Sequence, residues 1–144
     1  MELKTECLSL DFITDAARRE TKLDRPYLLV VDGKLAAMSQ ILGLLEEVVQ
    51  KKRSLLVLAD DVEGEALATL VVNKLRGTLR CCAIKATGTD NARSAAIRDL
   101  IAITGGRVLS PEDVAEVSLD ELGSAEGAIV SAELTEIIRG ARLN

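Results

Sequence analysis

Histidine is absent from all 144 residues, which removes the usual general base of a catalytic triad and the commonest zinc ligand. Tryptophan is absent too, and Phe12 and Tyr27 are the only aromatic side chains. A nucleic-acid binder carries a basic footprint and, for single strands, aromatic stacking platforms. Here the aromatic content is 1% and the formal net charge is -5, so nucleic acid is excluded as a partner. Apolar runs such as Tyr27–Val31 fall far short of the ~20 residues of a membrane span. The start, Met1-Glu2-Leu3-Lys4-Thr5-Glu6, lacks the basic opening and apolar run of a secretory signal, so a cytoplasmic chain without a membrane partner is expected. Cys7, Cys81 and Cys82 form neither a disulfide framework nor a CxxC knuckle and read as reduced core residues.

What remains is aliphatic. At 48% hydrophobic content, a chain of this length can bury one core built from Leu, Ile, Val and Ala. Leu8, Leu10 and Phe12 alternate with more polar neighbours and suggest an extended segment in a loosely structured beginning, followed by a polar loop over 14–22. Tyr27–Val31, Leu55–Leu58, Leu79–Ile84 and Arg107–Leu109 read as strands. Between them fall predicted helices over Leu35–Lys51, Glu63–Arg76 and Arg93–Thr104, the last stopped by Gly105-Gly106. Ser110-Pro111-Glu112-Asp113 is a helix-start signal, and Ala128–Val130 and Glu136–Ile138 look like closing strands. Alternating strands and helices predict an α/β domain whose sheet is largely parallel and flanked by helices.

Two of the helices carry more apolar surface than one neighbour can cover. At ~100° per residue, Met38, Ile41, Leu42, Leu44, Leu45, Val48 and Val49 spread over roughly 160° of the first. On the second, Ala66, Leu67, Ala68, Leu70, Val71, Val72 and Leu75 cover roughly 240°, leaving Glu65, Thr69, Asn73 and Arg76 as a polar strip. Burial on two sides and an exposed apolar groove both explain such an arc. A groove of roughly 400 Å² offers about 10 kcal/mol at ~25 cal/mol/Å², against association costs of ~4 to 15 kcal/mol, which makes for weak and tolerant binding.

Asp60, Asp61, Glu63 and Glu65 sit where a strand meets a helix. Asp60 as N-cap with Glu63 completing a capping box is the plain expectation. Alternatively Asp32, Asp60, Asp61 and Lys85, all near strand ends, could hold Mg²⁺ for phosphoryl chemistry or bind a small ligand.

The unbroken run Asp61-Val62-Glu63-Gly64-Glu65-Ala66-Leu67-Ala68-Thr69-Leu70-Val71-Val72-Asn73, followed by Leu75-Arg76-Gly77, closely resembles the apical domain of GroEL-type group I chaperonins. The similarity continues from about Cys7 through Pro26-Tyr27, Leu42 to Glu46, Thr104-Gly105-Gly106 and Leu122-Gly123 to Ile138, so it spans nearly the whole chain. The resemblance implies a swivelling β/β/α fold over 1–144 with a two-helix apolar groove. It also implies binding of non-native polypeptides, and alternatively of the mobile loop of a GroES-type co-chaperonin lid, in that groove. The contact positions it implies are Leu42 and Leu45 on one helix and Leu67, Val71 and Val72 on the other, with Phe12 below and Asn73, Arg76 and Glu65 as polar neighbours.

Two departures from the family pattern mark a divergent paralogue. Cys7 and Asp11 stand where the family usually has tyrosines, and Thr87 to Ser94 replaces a Pro-Gly-Phe-Gly loop with its basic cluster. No segment matches the family's equatorial ATPase domain or intermediate domain, so the expectation is an excised, monomeric apical domain without cofactor or catalysis. The parent, a double seven-membered ring, would use ATP and Mg²⁺ elsewhere.

Overall fold

The computed structural model describes residues 1–139. In chain order these form β1 (Glu2–Cys7), a 3₁₀ turn (Leu10–Phe12), β2 (Glu20–Asp24), β3 (Tyr27–Val31), β4 (Lys34–Leu35), a second 3₁₀ turn (Met38–Gln40) and α1 (Leu42–Gln50). Then come β5 (Leu55–Leu58), β6 (Asp61–Val62), α2 (Gly64–Leu75), β7 (Cys81–Ala86), α3 (Asp90–Thr104), β8 (Val108–Leu109) and α4 (Pro111–Val114). A third 3₁₀ turn (Leu119–Glu121), β9 (Gly123–Ser124), β10 (Gly127–Ser131) and β11 (Leu134–Ile138) complete the described chain.

Among the described residues four α-helices pack on a nine-stranded sheet ordered β2-β10-β11-β1-β7-β5-β3-β8, with β9 on β3. This sheet is mixed, and the expectation of a largely parallel one is corrected. Strands joined through helices run parallel: β3 with β5, β5 with β7, and β3 with β8. The chain's two ends supply antiparallel pairs, β1 with β7 and β11, and β10 with β11 and β2. Only the turn at Ala132-Glu133 links β10 to β11, and so short a connection can join only antiparallel neighbours.

The beginning of the chain is a central strand rather than a loose segment. In β1 only Leu3 is a large inward apolar residue, and its other inward position is Thr5. The buried Thr5 hydroxyl bonds the Thr135 hydroxyl at 2.7 Å, so a polar residue sits in the core at little cost. The expected extended alternation at Leu8, Leu10 and Phe12 is a 3₁₀ turn capped by the Ser9 side chain, and the polar stretch before Lys22 already enters β2 at Glu20.

The first helix begins at Leu42 instead of Leu35. Leu35 is held in β4, which pairs with β6 as a separate two-stranded parallel ladder. Gln40 then folds back, its Oε1 accepting the Ala36 and Ala37 N–H groups at 2.9 Å each. The same ladder overturns the capping box at Asp60. Asp61 is a strand residue, Glu63 is the N-cap without a side-chain cap bond, and the helix opens on Gly64 at φ 56, a left-handed conformation that favours glycine. The first turn of α2 is served instead by backbone from the neighbouring segment: Ala36 O accepts from Ala66 N at 3.0 Å. Helix α3 starts one turn earlier than expected because Thr89 caps it, accepting from Ala92 N at 3.1 Å. Its end at Gly105 and the start of α4 after Ser110 fall where the sequence signals put them.

Candidate polypeptide-binding surface

Helix α1 turns Leu44, Leu45 and Val48 into the core and leaves Leu42 exposed. On α2 only Ala66 and Leu70 are fully buried. Leu67 and Val71 are half-buried against the core, while Val72 and Leu75 are exposed, Leu75 at 64%. The wide apolar arc of α2 is thus partly covered and partly open.

Between the two helices lies a cleft of about 300 Å³ lined by Leu42, Leu45, Glu46, Val49, Gln50, Asn73 and Thr78. The polar strip on α2 makes few demands on an occupant. Thr69 donates its hydroxyl to Glu65 O at 2.7 Å, and Asn73 donates one amide hydrogen to Thr69 O at 2.8 Å, so these two bonds are made inside the helix. Glu65 and Arg76 are exposed.

The expected contact residues fall on two flanks of α2. Lys74 reaches the carbonyl of Ile13 at 3.5 Å, which places the 3₁₀ turn Leu10–Phe12 along one flank. Leu67 and Val71 lie within about 60° of Lys74 around the helix and share that flank. Asn73 lines the α1 cleft, and Val72, about 100° from it around the helix, is exposed and is not among the lining residues. Leu42, Leu45 and Asn73 are therefore brought together in the cleft, and Leu67 and Val71 are not among its lining residues. Phe12, expected as a lower contact, is 0% exposed and is a core residue. It is the chain's one phenylalanine and the one buried residue of its 3₁₀ turn, which packs against α2 and β7.

On α1, α2 and the first two 3₁₀ turns, three exposed apolar side chains lie outside the expected contacts: Leu10 at 78%, Met38 and Leu75. The signal for Leu75 is its place in the wide apolar arc, whereas the alternation of Leu8, Leu10 and Phe12 groups Leu10 with the buried Phe12 and gives no signal for its exposure. Val49, already part of the wide apolar arc of the first helix, and Glu46, within the matched segment Leu42 to Glu46, also line the cleft, and Gln50 and Thr78 join it without a sequence signal of their own.

A second cleft, of about 310 Å³, lies at the C-terminal ends of β3 and β5 beside the first turns of α3. Asp32, Asp60, Asp90, Arg93 and Ser94 supply its polar lining. Asp61 and Lys85 are not part of it: Asp61 is bonded to its own neighbour, its Oδ1 accepting from Val62 N at 2.9 Å, and Lys85 pairs across the ladder with Glu6. Among the described residues no three Asp, Glu or Cys side chains gather closely enough to hold a metal ion.

No protein-family model matches the chain. Among the described residues no helix is long and apolar enough to cross a membrane.

Proposed function

We propose that this chain binds apolar segments of non-native polypeptides across α1, α2 and the first two 3₁₀ turns, in the manner of a chaperonin apical domain. One observation carries the reading. Of the eight exposed large apolar side chains among the described residues, five (Leu10, Met38, Leu42, Val72 and Leu75) lie on α2, on the two 3₁₀ turns packed against it, and on α1, which packs against the second of those turns. Such clustering marks an interaction surface, whereas scattered exposed aliphatics need no explanation. The mixed sheet with helices on it is compatible with the swivelling β/β/α architecture that the sequence resemblance implies. Aliphatic contacts impose little directional bonding, so many sequences bind with similar strength. Covering five side chains that on average are about half exposed contributes roughly 4 to 7 kcal/mol, which only matches the lower part of the ~4 to 15 kcal/mol cost of association. A lone domain therefore binds weakly, and firm capture needs several copies presented together, as in a ring. The reading assigns the chain itself no catalysis and no cofactor. It also makes the mobile loop of a co-chaperonin a competitor for the same surface.

The test is capture of a denatured protein by this domain immobilised at high density. Leu42→Glu combined with Val72→Glu is expected to weaken capture at least about tenfold, since each tenfold corresponds to ~1.4 kcal/mol. Leu134→Glu, exposed on β11, is the control and should leave capture within about twofold. Undiminished capture by the double variant, with unchanged far-UV circular dichroism, refutes the proposal.

A second reading, a Mg²⁺-dependent phosphoacceptor or small-ligand domain, is favoured by the position of the Asp32–Asp60 cleft outside the carboxyl ends of parallel strands. Only two of the four residues expected for it share that cleft.

A further inference from the structure

The three cysteines are free thiols, and two of them, far apart in sequence, face each other. Cys7 ends β1 opposite Ile84 of β7, and Cys82, two residues before Ile84, lies on the same face of the sheet. The Cys7 and Cys82 sulfur atoms are 3.7 Å apart across 75 positions of sequence. Cys82 is fully buried, whereas Cys7 is partly exposed and opens onto a surface depression of about 750 Å³ bordered by Lys4, Glu6, Thr87, Glu133 and Leu134. Cys81 points elsewhere, donating to the Leu70 carbonyl of α2 at 3.3 Å. One thiol of the facing pair is thus reachable from solvent and the other is shielded behind it.

We propose that Cys7 and Cys82 form a peroxide-responsive thiol pair that closes to an intramolecular disulfide. The Cys7 thiolate attacks one oxygen of a hydroperoxide, the O–O bond breaks, and the alcohol or water leaves as Cys7 becomes a sulfenic acid. The Cys82 sulfur then attacks the Cys7 sulfur, the S–O bond breaks, and hydroxide departs to take up the Cys82 proton as water. Two thiols lose two electrons in total and the peroxide gains them. A dithiol reductant restores the pair by exchange. Closure draws the sulfurs from 3.7 Å to about 2.05 Å, and Cys7 can supply the movement because its strand ends there in a bend. The bond Cys7 makes with Cys82 holds its thiol down at about 7, so the attacking form is populated at neutral pH, while burial pushes the Cys81 thiol up to about 12. This inference does not depend on polypeptide binding.

The experiment treats the reduced full chain with stoichiometric hydrogen peroxide at neutral pH, blocks remaining thiols, digests it and maps the cross-links by tandem mass spectrometry. A Cys7–Cys82 bond within one chain is expected, retained in Cys81→Ala and absent in Cys7→Ser. In Cys82→Ala, Cys7 should stop at the sulfenic acid, trapped by a cyclic 1,3-diketone. Unfolding the wild-type chain in denaturant should slow the cross-link at least about tenfold, because the folded sheet holds the two sulfurs together. That comparison needs no variant to fold. Bonds chiefly between chains, a Cys7–Cys81 bond, or equal rates in the folded and unfolded chain would overturn the proposal.

Discussion

Phe12→Ala separates a core residue from a contact residue. If Phe12 met bound polypeptide directly, truncating it would weaken capture and leave stability within about 0.5 kcal/mol, as for surface changes generally. In the structure Phe12 is 0% exposed, on a 3₁₀ turn packed against α2 and β7. Removing a buried phenyl ring loses its transfer free energy and leaves a cavity, together about 3 to 5 kcal/mol. A domain of 144 residues has a total stability of roughly 7 to 20 kcal/mol, so the change takes a large share of it. At ~2 to 4 °C per kcal/mol for a chain of this size, the thermal midpoint should fall by about 6 to 20 °C. The assay is urea and thermal unfolding followed by far-UV circular dichroism, which needs no tryptophan. A loss below about 1 kcal/mol, accompanied by weaker capture, would refute the burial of Phe12 and return it to the binding surface.

The Cys7 thiol, lowered to about 7 chiefly by its bond with Cys82, should alkylate with a half-maximal rate near neutral pH. Because the thiolate is the reactive form, the rate rises with pH and levels off above the shifted value, with Lys4, Glu6 and Glu133 sharing the depression. Cys82→Ala should move the midpoint upward, and an unchanged midpoint would remove that cause. For the Asp32–Asp60 cleft, incubation with a small phosphodonor and Mg²⁺ should label Asp60 if the second reading holds. Labelling that persists in Asp60→Asn, or that never occurs, counts against it.

Local signals determine the structure where a backbone requirement is written into one or two residues. Gly105 ends α3, Ser110-Pro111 opens α4, and the aliphatic runs of β3 and β5 are buried along their whole length. Local signals mislead where a distant segment meets a local need. Thr5 marks a core strand only because Thr135 bonds it, and Ala36 closes the first turn of α2 in place of any capping side chain. Neither partner is visible from the residue it serves.

The apolar excess of α2 belonged to the sequence alone, since the identity and ~100° spacing of its residues determine how wide the arc must be. Which parts of that arc stay open was decided by the tertiary structure. Leu67 and Val71, on the flank where the 3₁₀ turn Leu10–Phe12 packs, are half-buried, whereas Val72 stays exposed and Leu42 of α1 stays exposed in the cleft that Asn73 lines. Exposure depends on what a neighbour covers, and those neighbours come from parts of the chain that periodicity along a single helix does not encode.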